Sequence, residues 1–121
     1  MSKSTHITRV ATVGIRVTDQ QKAIEFYVGE LGFEVRLDVP FGDGRWIEVA
    51  PPGATTTVAL VPDGIPVGIR LTTQDADADH TDLRGRGVDV DAEVLRMGPA
   101  VPPMFAVRDP DGNNLILIES S

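Results

Sequence analysis

Apolar residues in this chain follow two spacings that alternate along its length. Val13, Ile15 and Val17 are separated by Gly14 and Arg16, the two-residue period of a half-buried strand. Ala23, Phe26, Tyr27 and Leu31 then fall at helical spacing. Thr18 and Gln21 fit a capping box at the start of that helix, and Gly32 fits the left-handed residue that ends it. Phe33–Leu37, Trp46–Val49 and Thr56–Val61 read as strands, with turns expected at Asp43-Gly44 and Pro51-Pro52-Gly53. After a break at residues 61–66 the order resumes. A strand is expected at Val67–Leu71, a helix from Asp75 to Arg84, and shorter strands near Asp89–Val94, Phe105–Val107 and Leu115–Ile118. The last two join through a turn at Asp109-Pro110-Asp111-Gly112-Asn113.

The order is a repeat. Val13-Gly14-Ile15-Arg16 recurs letter for letter as Val67-Gly68-Ile69-Arg70, and strand, helix and three strands follow the start of each copy. One such unit of about 55 residues buries too little surface to stand alone, whereas two can share a core. The expectation is an α+β fold of two βαβββ modules within one domain spanning residues 1–121. Module one covers about residues 7–61, and module two about residues 66–119.

Composition narrows the function. The chain has 121 residues and no cysteine, which excludes disulfide scaffolds, thiol nucleophiles and zinc–cysteine sites. With 11 basic against 18 acidic residues and a net charge of −7, it lacks the positive cluster that nucleic acid binding needs. No apolar run reaches the ~20 residues of a membrane span. The opening MSKSTHITRV has no apolar core of a signal peptide, so a cytoplasmic protein is expected. The six Asp residues between Asp75 and Asp91 read as a solvated helix face and loop.

A family resemblance rests on Val13-x-Ile15-x-Val17-x-Asp19, Ala23-x-x-Phe26-Tyr27, Leu31-Gly32-Phe33 and Asp109-Pro110-Asp111-Gly112-Asn113. Arg45–Gly53 and the internal repeat add to it. In that order these motifs resemble the vicinal oxygen chelate superfamily, which includes glyoxalase I, bleomycin resistance proteins and extradiol dioxygenases. The resemblance implies two βαβββ modules curled into an incomplete barrel around a cavity, usually in a homodimer. It also implies a divalent metal held by a His or Gln on the first strand of each module and a Glu on a late strand of each. That metal binds two adjacent substrate oxygens and stabilises an enediolate or oxyanion.

Carried over position by position, the ligand set fails. The first-strand position of module one is Thr12, and its late-strand position is Glu48. In module two the first-strand position is Pro66, Val67 or Gly68, and the last is Ile116. Only Glu48 suits a metal, so none is expected; a divalent ion needs about three protein donors. His6 lies ahead of the first strand, and His80 reads as a surface residue on the acidic helix. Glu119, three residues past Ile116, falls on the opposite strand face.

Strand parity names the cavity side chains that the resemblance implies. Thr12, Gly14, Arg16 and Thr18 share one face; so do Trp46, Glu48 and Ala50, and Asn114, Ile116 and Ile118. Arg70 is the repeat partner of Arg16. Val13, Ile15, Val17, Ile47, Val49, Ile69 and Leu71 are then expected in the core against the helices. The candidate ligand-binding residues are Thr12, Arg16, Trp46, Glu48, Arg70, Ile116 and Ile118. Glu48 is either an ion-pair partner of Arg16, an acceptor for a ligand, or a catalytic base, with an arginine stabilising an oxyanion. Two functions stay open at this level. One is a homodimeric protein that binds a small organic molecule or antibiotic without a metal or other cofactor. The alternative is a metal-dependent glyoxalase-like lyase or dioxygenase acting on a vicinal-oxygen substrate.

Overall fold

In a computed structural model, which describes residues 4–65 and 67–120, the order βαβββ occurs twice. The first copy comprises β1 (Ile7–Arg16), α1 (Gln20–Ile24) with a π-helical continuation over Glu25–Glu30, β2 (Glu34–Phe41), β3 (Gly44–Ala50) and β4 (Thr57–Val61). The second comprises β5 (Ile69–Thr73), α2 (Ala76–Gly85), β6 (Asp89–Val90), β7 (Met104–Arg108) and β8 (Asn114–Glu119). The α+β class and the module order expected from the repeat are both present. Among the described residues, no helix is long and apolar enough to cross a membrane.

The chain forms two compact units whose boundaries differ from those of the repeat. One is Ala11–Gly68; the other joins the residues up to Val10 with those from Ile69 onward. Strand β1 therefore contributes its last six residues to one unit and its first four to the other.

In the Ala11–Gly68 unit the strands lie in the order β2-β3-β4-β1. β1 and β4 are parallel, with Thr12 opposite Thr57 and Gly14 opposite Ala59. β3 runs antiparallel to β4, placing Glu48 opposite Ala59. Ile47, Val49 and Leu60, all fully buried, form the core with Ile15, Val17, Ala23, Ile24, Tyr27, Val28, Phe33 and Val58. Parity correctly assigns Ile15, Val17, Ile47 and Val49 to this helix side, but Val13 is only half-buried and outside the cluster. Gly14 N–H donates to Gly68 O at 2.8 Å, and a Cβ on Gly14 would lie 3.0 Å from that oxygen. Close backbone approach accounts for this glycine.

Two local expectations shift by one residue. The helix cap is Asp19 rather than Thr18: its Oδ1 accepts from Lys22 N at 3.0 Å, and a carboxylate suits the free N–H groups of a helix start. The β2–β3 turn is centred on Gly42-Asp43 instead of Asp43-Gly44. Gly42 has φ +59°, which a type II′ turn requires at its first central position.

In the other unit the order is β5-β8-β7-β6, with Ile7–Val10 of β1 bordering β5. Ala76, Phe105, Val107 and Leu117 are buried there, together with half-buried Ile7, Leu71, Leu83, Val88, Val90, Val94 and Leu115. Ile69, expected in this core, is 36% exposed because β5 begins at that residue, two positions later than predicted. β6 is shorter than expected. Asp91 N–H still donates to Ala106 O at 3.0 Å, while the return bond goes to its side chain, Oδ2 accepting from Ala106 N at 3.0 Å and Oδ1 from Arg108 Nη1 at 3.0 Å.

Candidate functional site

Strand pairing on the side of the Ala11–Gly68 sheet away from α1 builds a polar chain through three strands. Trp46 Nε1 donates to Glu48 Oε2 at 2.7 Å, and Thr57 Oγ1 donates to Glu48 Oε1 at 2.8 Å. Thr12 Oγ1 lies 3.0 Å from Thr57 Oγ1. A hydroxyl has one proton. Thr57 gives its proton to the carboxylate, so Thr12 must donate to Thr57. Glu48 is thus held by one donor on each oxygen, with its remaining lone pairs available.

Apolar side chains surround this acceptor. Cross-strand pairing puts Leu37 opposite Glu48 and Val39 opposite Trp46, while the Phe41 ring meets Trp46 edge-on at 5.7 Å. Leu37, Val39 and Phe41 are 40%, 40% and 46% exposed. Of the residues singled out from sequence, Thr12, Trp46 and Glu48 therefore converge. Thr57 completes the group and was not anticipated; its register with Thr12 on a parallel strand is the feature that would have revealed it. Arg16 does not join Glu48. Its Nη2 donates to Ile65 O at 3.3 Å and its Nε lies 3.8 Å from Asp63, at the end of the strand.

Glu48 lies on the strand expected at Trp46–Val49, but Glu48 and Ile116 do not occupy equivalent strands of the two modules. β4 pairs with β1 as β8 pairs with β5, both in parallel, so β4 is the counterpart of β8. Glu48 lies on β3. The strand equivalent to the one bearing Ile116 carries Thr57, Val58, Ala59, Leu60 and Val61, none of which is a carboxylate or imidazole.

In the other unit, Arg70 and Ile116 are register partners on β5 and β8, and Ile118 pairs across to Met104. Leu95, Met104, Ala106 and Ile116 line a hollow of about 140 Å³ whose one charged wall is Asp91. Burial pushes the Asp91 carboxyl upward, but the Ala106 N–H and Arg108 outweigh it and hold the group below the ordinary range.

The acidic helix is not uniformly solvated. Asp79 is fully buried, with Oδ2 accepting from Thr73 Oγ1 at 2.5 Å and Oδ1 from His6 N at 2.9 Å. His6 Nδ1 also lies 2.9 Å from Oδ1. Nor is His80 a free surface residue: its Nε2 is 2.8 Å from Asp91 O, and its ring meets Phe105 edge-on at 5.0 Å. Glu119 faces the helix side as parity predicted, accepting from Ala76 N at 2.9 Å.

The hydrogen bond to Asp79 raises the His6 pKa above its usual value, and Asp75 and Asp82 add to the shift. Imidazolium at His6 is therefore favoured by folding. Its stabilisation is complete below the unfolded value near 6.5 and disappears as pH rises through the higher folded value. The Tm difference between wild type and His6→Gln should be widest near pH 5.5 and narrow to a plateau by pH 9. A gap independent of pH would disprove this linkage.

Comparison with known proteins places this geometry in a family. The model of the Glyoxalase/Bleomycin resistance protein/Dioxygenase superfamily matches residues 6–117. The uncharacterized protein YetH of Bacillus subtilis (strain 168) is 31% identical over 121 residues, covering 93% of this chain and 99% of that one. The chain belongs to the Glyoxalase/Bleomycin resistance protein/Dioxygenase superfamily. Methylmalonyl-CoA epimerase from Mycobacterium tuberculosis superposes with a TM-score of 0.80 at 25% identity, covering 100% of this chain and 93% of that one. The antibiotic binding protein TnmS3 from Streptomyces sp. CB03234 is 39% identical, with coverages of 95% and 98%, but its TM-score is 0.45.

The metal implied by the family does not fit these side chains. Of the side chains at the family positions only Glu48 is a carboxylate, and Thr12 and Ile116 offer neither a carboxylate nor an imidazole. Val67 and Gly68 offer no side-chain donor, and Pro66 lies outside the described residues. Among the described residues, no three His, Asp or Glu side chains gather as a metal site.

Proposed function

We propose that this protein binds a small organic molecule on the Trp46–Glu48 face without the family metal, and holds it chemically intact. The observation that carries this reading is the Glu48 carboxylate, fixed between Trp46 and Thr57 and bordered by exposed apolar side chains. Apolar walls with one or two oriented polar groups are the usual composition of a small-molecule site. The matching ligand has an apolar body and a hydrogen-bond donor for Glu48; antibiotics of that kind fall within the class. The same reading makes the protein a homodimer, supported by Leu37, Val39 and Phe41 on a strand that, among the described residues, pairs on one side only.

A second reading, catalysis with Glu48 as general base, is favoured by the likeness to methylmalonyl-CoA epimerase. One set of experiments separates the two. Trp46 is the only tryptophan, and its indole N–H contacts Glu48, so ligand binding should change its fluorescence. Organic amines and aromatic heterocycles would be screened by that readout and recovered for chromatography. Stoichiometric binding, recovery unchanged and indifference to chelator support the binding reading; turnover overturns it. Glu48→Gln should weaken binding about tenfold, the value of a hydrogen bond to a charged group. A native mass spectrum after exposure to nickel, zinc, manganese and iron(II) should show a metal-free dimer.

A further inference from the structure

Where the Ala11–Gly68 sheet ends, the exit of β1, the β2–β3 turn and the segment after β4 enclose a recess of about 560 Å³. Its apolar walls are Val17, Phe41, Pro62 and Ile65, and its two carboxylates are Asp43 and Asp63. Trp46 and Glu48 do not line it. From this we infer a second ligand site, one that takes a small apolar molecule with a single cationic head, such as an arylalkylammonium.

Three observations support this assignment. The volume lies within the ~300–1,000 Å³ range of small-molecule sites. The recess is built in advance: Gln20 Nε2 donates to Arg45 O at 2.6 Å and Leu60 O at 3.0 Å, while its Oε1 accepts from Arg45 N at 3.3 Å. Every polar atom of Gln20 is used in fastening α1 to β3 and β4, so the side chain forms a fixed wall. A Cβ on Gly44 would sit 3.3 Å from Gln20 Oε1, so glycine there permits the close seating of this wall.

Charge then selects the ligand. Arg16 Nε stands 3.8 Å from Asp63 and offsets one carboxylate, whereas Asp43 forms no ion pair among the described residues. One net negative charge remains beside the apolar surface, in a chain of net charge −7. A cation gains from both, and an anion of the same shape is repelled.

The test is an NMR titration of the ¹⁵N-labelled full chain with 2-naphthylmethylammonium, 2-naphthoate and neutral 2-naphthalenemethanol. The ammonium should shift the Thr18, Gly42, Gly44 and Ile65 amides saturably and bind about tenfold more tightly than the carboxylate. Asp43→Asn combined with Asp63→Asn should reduce its affinity to that of the alcohol. Both positions are exposed, and a melting curve checks that the variant folds. Equal binding of naphthoate, absence of saturation, or shifts confined to Trp46, Glu48 and Thr57 would each overturn the assignment.

Discussion

Phe105→Ala should lower unfolding stability by about 4 kcal/mol. Among the described residues Phe105 is the largest fully buried side chain, 1% exposed, and it packs with Ala76, Val107 and Leu117 under α2. Truncation removes the apolar transfer term and leaves a cavity that β7, hydrogen-bonded to β8 over five residue pairs, has little freedom to close. It also removes the ring edge against His80, which holds α2 near Asp91. Urea unfolding would measure the change, with Phe105→Leu as a control expected to lose about 1 kcal/mol. A loss below about 1.5 kcal/mol for the alanine variant would mean that this cluster relaxes far more than its pairing suggests.

Asp79→Asn should also be damaging, costing about 3 kcal/mol, or on the order of 10 °C in Tm. The substitution is nearly isosteric, so packing is not the cause. The Asp79 carboxylate accepts from Thr73 Oγ1, His6 N and the His6 ring, and it is fully buried. An amide presents an N–H₂ to at least one of those donors and leaves it unsatisfied away from water. The cost should shrink when His6 is already replaced by Gln, because the two residues share the interaction. Additive effects in that double-mutant cycle would show that Asp79 works through Thr73 and the His6 backbone N–H, without the imidazole.

These two residues also mark the boundary of what could be read from the sequence. Phe105 was placed on a strand by local alternation, and its burial follows from parity with Val107. Period-two patterning likewise put Ile15, Val17, Ile47 and Val49 on one face and Thr12, Trp46 and Glu48 on the other, because side chains must alternate along any strand. Asp79 could not be found that way. Its neighbours Asp75, Asp77 and Asp82 make the helix look solvated, while its partner His6 lies 73 residues away in the chain. Thr57 was missed for a related reason: a parallel register is set by tertiary pairing and has no local signature.

The division of β1 bears on how this fold can be inherited or cut. The sequence repeats with a boundary near Pro62–Val67, the place where a gene duplication would be traced and where an engineer would split the polypeptide. The compact unit that contains α2, however, includes Ile7 and His6 from the opposite end of the chain. A fragment beginning after that boundary would lack the imidazole that meets Asp79 and the isoleucine packed beside Phe105. The second copy visible in the letters is therefore not self-contained, whereas the Ala11–Gly68 unit is continuous in the chain.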